Sequence, residues 1–248
     1  MVYTFDKEGI KDFKLPEVLV YNMGKVGSTS ITETIMENGF RKTLKCHWMK
    51  YNYPIAEFWT ERKYLMNAIN SGKDRPFKIV IPVREPMARN ISAFFQILPD
   101  YIPNYKDKDL KYLYRYFVSE YNVEYPDQWF HMEPMEVFGF DPYRVPFDTS
   151  VGYQIYKEEK HQYLIIRLED CESKLTEALR IFLGVDNIQM KSSNVFEKTS
   201  RHRMQKEYAE FKKFRYNQDF LNRTYALEYV NHFYTKEEIN KFRNKWSK

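Results

Sequence analysis

The feature that most narrows the possible folds is the stretch at residues 18–31, Val-Leu-Val-Tyr-Asn-Met-Gly-Lys-Val-Gly-Ser-Thr-Ser-Ile. Apolar β-formers, a glycine turn and a polar helix start read as a buried strand that feeds a helix through a tight loop. Gly24 and Gly27 let the backbone bend and approach a ligand closely. Ser28, Thr29 and Ser30 bring hydroxyls and main-chain N–H groups to a helix N-terminus, where anions are favoured, and Lys25 adds a mobile positive charge. Lys25, Val26, Gly27, Ser28, Thr29 and Ser30 therefore form a candidate phosphate cradle. The residue order is not that of the nucleoside-triphosphate loop, in which the lysine stands directly before the Ser/Thr at the end of a longer glycine loop. An ordinary strand-to-helix turn with a solvated lysine is the plain alternative, and a second motif has to decide between the two.

Further along, Ile31 and Ile35 lie one turn apart and Gly39 suits a left-handed helix end, so a helix is expected over residues 28–38. Residues 43–47 read as a short second strand ending at His47, on the side of a sheet where α/β proteins place ligands. Phe58, Leu65 and Ile69 share a face of a helix expected over 56–71. Residues 78–84 read as a buried third strand ending in Arg84-Glu85-Pro86, with Pro86 at the first helical position. The helix that follows carries Met87, Ile91, Phe94, Phe95 and Leu98 as its apolar stripe and is expected to stop at Pro99. Ser92 lies off that stripe. An arginine at a strand end and a serine two turns into the next helix can face the same groove, and arginine supplies a planar, permanently charged fork for phosphate.

With both motifs in view, the chain resembles sulfotransferases that use 3′-phosphoadenosine 5′-phosphosulfate (PAPS). Lys25 to Thr29 matches their 5′-phosphosulfate loop, Lys-x-Gly/Ala-Ser/Thr-Thr. Arg84 and Ser92 keep the eight-residue spacing of their 3′-phosphate site, with Glu85 where that site has aspartate. The resemblance implies a P-loop nucleotide-kinase-like α/β fold, a mainly parallel central sheet flanked by helices. It also implies transfer of the sulfuryl group of PAPS to a carbohydrate hydroxyl, with adenosine 3′,5′-bisphosphate as product and no metal. In the heparan 2-O type a histidine just after the second strand is the general base, and His47 is the matching residue. A basic, threonine-rich loop closes over the nucleotide in that family, and Lys198, Thr199 and Ser200 with Arg201 are the corresponding piece here. The tail Asn244-Lys245-Trp246-Ser247 resembles the Asn-Lys-Trp-Tyr-Ser ending of a capsular polysaccharide synthesis group, without its tyrosine.

Elsewhere the patterning is weaker. Residues 100–146 read as a partly helical, tyrosine-rich insertion, with its best helix over 107–120; in the resembling fold this region covers the acceptor groove, so these tyrosines are candidates to stack on sugar rings, although core and surface tyrosines explain them as well. His131 is a rival base with nothing to tie it to the lysine loop. Residues 152–157 and 162–168 read as strands joined by a hairpin or crossover, followed by a helix closed at Gly184 and, at Thr235 to Glu238, a capping box that opens the last helix. A chain of 248 residues with 43% hydrophobic content and no low-complexity linker reads as one domain, residues 1–248. A net charge of +5 welcomes an anionic ligand but does not imply a nucleic-acid partner. Cys46 and Cys171 are too few for a disulfide framework or a zinc site, and there is neither a membrane-length apolar run nor a signal-like N-terminus, so a cytoplasmic protein is expected. Two alternatives stand beside the sulfotransferase reading: a non-catalytic nucleotide- or glycan-binding module, and a P-loop kinase or glycosyltransferase of glycan synthesis. The latter lacks its Gly-Lys-Ser/Thr order and a carboxylate pair for Mg²⁺.

Overall fold

The computed structural model describes residues 15–50, 59–158, 160–190 and 204–247. Its centre is a five-stranded sheet built from β1 (Val18–Tyr21), β2 (Thr43–Cys46), β3 (Lys78–Val83), β4 (Tyr153–Glu158) and β5 (His161–Arg167) in the order β2-β1-β3-β5-β4. The pairs β1–β2, β1–β3 and β3–β5 are parallel, and only the β4–β5 hairpin is antiparallel. The mainly parallel α/β architecture expected above is thus observed, with the later pair resolved as a hairpin.

Strand alternation assigns the two faces. Leu19, Tyr21, Ile79, Ile81, Val83, Tyr163 and Ile165 point into the larger core, while Val18, Val20, Val80, Leu164 and Ile166 point into the smaller one. The smaller core is closed by Ile31 and Ile35 of α1 (Ser28–Glu37) and by Leu175, Leu179 and Phe182 of the helix Cys171–Leu183. The larger is closed by α2 (Trp59–Asn70), α3 (Pro86–Tyr101) and an aromatic cluster from later helices. A sheet covered on both faces explains why β1, β3 and β5 read as apolar runs.

Between β3 and β4 lie α4 (Leu110–Glu120) and α5 (Tyr125–Phe130), then a π-helical turn (His131–Met135) that runs into α6 (Glu136–Phe138). After β5 come α7 (Cys171–Leu183), α8 (Gln205–Phe211), α9 (Gln218–Tyr225), α10 (Glu228–Phe233) and α11 (Lys236–Trp246). The capping box is present: the Thr235 side chain accepts from the Glu238 N–H, and Glu238 accepts from the Thr235 N–H. The expected stop at Pro99 is not observed, since α3 continues to Tyr101. Proline removes one N–H, yet the Ile102 N–H still reaches the Leu98 carbonyl at 2.9 Å and Leu98 and Ile102 are anchored in the core, which holds the last turn together. The helix expected from residue 107 begins instead at Leu110, because Asp109 caps it by accepting from the Tyr112 N–H. Both thiols are free, and burial pushes each of them up to about 12. Among the described residues no helix is long and apolar enough to cross a membrane.

Candidate functional site

Because β1, β2, β3 and β5 are parallel, their C-terminal ends share one edge of the sheet. The chain leaves β1 for β2 on one side and returns to β3 on the other, so a crevice opens between the ends of β1 and β3. A cleft of about 1740 Å³ occupies this edge. Gly24, Lys25, Gly27, Ser28, Thr29 and Ser30 line it from β1, Lys45 and His47 from β2, Arg84 from β3, and Ser92 from α3. Of the predicted cradle residues, Val26 differs: its side chain is fully buried in the larger core and it does not line the cleft. Lys198, Thr199 and Ser200 lie outside the described residues.

The loop is bent sharply. Gly24 and Gly27 have φ of 83° and 75°, and Lys25 between them has φ of 62°. A lysine in the left-handed region costs about 1 kcal/mol and persists only where its surroundings impose it. Here the imposing groups are two arginines. Arg84 Nη1 donates to the Lys25 carbonyl at 3.0 Å, and Arg89 donates to the carbonyls of Met23 (2.8 Å) and Gly24 (3.3 Å). Arg89 is buried, donates also to the Tyr121 hydroxyl at 3.1 Å, and lies 4.6 Å from the centre of the Tyr125 ring. Lys25, Arg84 and Arg89 have no described carboxylate as an ion-pair partner. The ammonium of Lys25 is accordingly pushed below its ordinary range, first by burial and then by the repulsion of Arg84 and Arg89. Three gathered cations with no ion-paired carboxylate among the described residues favour an anion. Arg89 was missed in the sequence, although it stands one helical turn before Ser92 on the same face of α3, a spacing that could have revealed it.

Arg84 is held at the strand end by a single phenol. The Tyr229 hydroxyl of α10 accepts from the Arg84 N–H and donates to the Arg84 carbonyl, both at 2.7 Å. Glu85 caps α3 by accepting from the N–H groups of Met87 and Ala88, and takes the Tyr225 hydroxyl at 2.5 Å. Glu169 is drawn to the same corner, accepting from the Glu85 N–H and the Tyr234 hydroxyl. Asp170 pairs with Arg167 at 2.5 Å and makes no side-chain cap, so only Glu85 of these acids serves as a helix cap.

His47 stands half-buried at the cleft. Its Nδ1 lies 3.1 Å from the Asn22 carbonyl, a contact that requires the proton on Nδ1 and leaves the Nε2 lone pair free. Burial lowers its pKa from the ordinary 6.5 to about 4, and the charges of Lys45, Arg89 and Lys25 act in the same direction. The imidazole is therefore neutral throughout the physiological range, unlike an unperturbed histidine, which titrates at about 6.5. His131 is exposed on the π turn, with Nδ1 3.1 Å from Met135 Sδ, and borders a separate small pocket with Glu124 and Asp127. Trp48, Tyr101, Tyr116, Tyr121, Tyr125 and Tyr208 also line the cleft and give it an aromatic character. Asn244 to Ser247 does not line the cleft; the Trp246 carbonyl accepts from the Tyr216 N–H at 2.8 Å, and the Trp246 ring is buried.

No curated protein and no solved structure matches the chain. One family model does, and its match ends before the Asn244 tail and excludes Lys25, His47, Arg84 and Ser92. That model, "NKWYS: Putative capsular polysaccharide synthesis protein", covers residues 105–235, more than half of the 248 residues, and the chain belongs to this family.

Proposed function

We propose that the protein is a sulfotransferase that moves the sulfuryl group of PAPS to a hydroxyl of a carbohydrate acceptor, a capsular or other cell-surface polysaccharide. The observation that carries the reading is the meeting of Lys25, Arg84 and Arg89 at the crevice with no described carboxylate ion-paired to them, beside a histidine that stays neutral. A compact dianion fits these unpaired cations. When bound, PAPS would supply the transferable sulfuryl group and a phosphate leaving group. Lys25 and the N–H groups of residues 26–30 would hold its 5′ side, and Arg84 with Ser92 its 3′-phosphate.

Nε2 of His47 takes the proton of the acceptor hydroxyl while Nδ1–H stays on the Asn22 carbonyl. Lys25 places its ammonium where negative charge grows on the departing phosphate oxygen. The tyrosines that line the cleft offer flat faces on which sugar rings stack. The family description, capsular polysaccharide synthesis, supports a glycan acceptor.

A thermal-shift panel tests the reading. Adenosine 3′,5′-bisphosphate should stabilise the protein more than AMP or ATP; a ligand at a hundred times its Kd adds about 2.7 kcal/mol. Arg84→Ala should erase the preference. Equal stabilisation by AMP would leave a generic nucleotide binder, and preference for Mg-ATP would point to a kinase.

A further inference from the structure

The β1–β2 register ends at Tyr21 and Cys46, so the polar backbone atoms of residues 47–50 have no strand partner. The Trp48 carbonyl accepts from Arg62 of α2 at 3.3 Å, and others are taken up by α5 and the π turn that follows it. Trp129 Nε1 donates to the His47 carbonyl at 2.7 Å. Glu133 Oε2 accepts from the N–H groups of Met49 (2.7 Å) and Lys50 (3.4 Å), and from the Tyr21 hydroxyl at the end of β1. Between these two grips, Trp48 Nε1 donates to the Tyr125 hydroxyl at 2.7 Å. Trp129 and Glu133 are both fully buried, and the second oxygen of Glu133 has no partner among the described residues.

A buried carboxylate is costly unless donors converge on it. A neutral side chain would close a core at less cost, and a π turn is itself an uncommon element that recurs at functional sites. The grip also falls where the ring needs it. Asn22 accepts the Nδ1 proton of His47 through its carbonyl, while its own N–H and side-chain Nδ2 donate to the Cys46 carbonyl at 3.0 and 3.2 Å. The imidazole thus has one anchor from β1 and its peptide a second from α5, and together they leave Nε2 as the free nitrogen. We infer that Trp129 and Glu133 are positioning residues that set the His47 imidazole at the cleft by gripping the backbone on either side of Trp48. The inference rests on the reading of His47 as the base, and it joins the family-matched helices to a site whose charges lie outside the match.

Trp129→Phe keeps a ring in the core and deletes the donor to His47. The His47 ring is followed by NMR, assigned through His47→Gln, and turnover is measured at saturating substrates. In the parent protein the ring should titrate at about 4. In Trp129→Phe it should titrate closer to 6.5, as it loosens and gains water beside Lys25, Lys45 and Arg89, and kcat should fall tenfold or more with KM for the nucleotide unchanged. A variant that merely melts earlier, with the His47 titration and kcat of the parent, overturns the inference. Should Trp129→Phe not fold, Glu133→Gln, which keeps the side-chain shape and removes the charge, is read in the same way. If His47→Ala stays active, the base reading fails on its own, and the NMR titration still decides whether Trp129 and Glu133 hold the ring.

Discussion

Residues 18–101 and residues 105–235 meet at the cleft but bring different things to it. The first region supplies charge and hydrogen-bonding groups, through Lys25, Lys45, His47, Arg84, Arg89 and Ser92. The second supplies most of the rings that line the cleft and clamps on the first region's backbone: Tyr229 on Arg84, Trp129 on His47, Glu133 on Met49 and Lys50. The chemistry and its aim are thus encoded far apart in the chain. Mutations on the charged side should remove function with the fold intact, whereas mutations on the clamping side should first misplace it.

The largest effect is expected at His47. His47→Ala should lower turnover about 10²-fold or more with nucleotide affinity nearly unchanged, as read by steady-state rates and calorimetry. Since its pKa is about 4, activity should stay level from pH 8 to about 5 and fall only as pH approaches 4. The same group bears on stability. A pKa below the ordinary 6.5 means that the unfolded chain takes up the proton first, so its contribution is complete above 6.5 and lost as pH falls from there through 4. Melting curves of the parent and of His47→Gln should converge across that window. An active His47→Ala enzyme would remove charge-side chemistry from the comparison.

Next comes Lys25→Ala, which should reduce turnover by about 10²-fold while weakening nucleotide binding much less, because its charge matters most at the departing phosphate. Loss of binding with full turnover at saturation would make it a ground-state anchor. On the clamping side, Tyr229→Phe deletes both bonds to Arg84 and should cost about 1–3 kcal/mol of stability, with roughly tenfold weaker binding of adenosine 3′,5′-bisphosphate. Unchanged affinity would mean that Arg84 is aimed by β3 alone. The smallest effect is expected at Thr235→Ala, which breaks the capping box of α11 for about 1 kcal/mol and should leave every kinetic constant in place.

Much of the charged side is legible in sequence, because a strand, a turn and a helix start are local events. Gly24-Lys25-Val26-Gly27 announces a bend, and Arg84 to Ser92 keeps its register along one helix. The clamps are not local. Trp129 is 82 residues from His47, and Tyr229 is 145 from Arg84. A tryptophan or tyrosine that spends its one polar atom on a distant backbone has the same spacing as one that only packs. The neutral state of His47 was hidden for a related reason, since it depends on burial of the ring and on the repulsion of Lys45, Arg89 and Lys25, which the fold gathers around it. Pro99 was misread because its local cost is smaller than the burial of Leu98 and Ile102 on either side.

The β3–β5 pairing has a consequence for handling the protein. The family match begins after β3 and takes in the whole β4–β5 hairpin. Yet β5 is partnered along its other side by β3, from Lys78 opposite Gln162 to Val83 opposite Arg167. A fragment trimmed to residues 105–235 would leave that side of β5 as a raw edge flanked by Leu164, Ile165 and Ile166, all 0% exposed in the intact chain. Such an edge invites another copy to dock strand against strand, and the trimmed piece should self-associate where the full chain does not expose that surface.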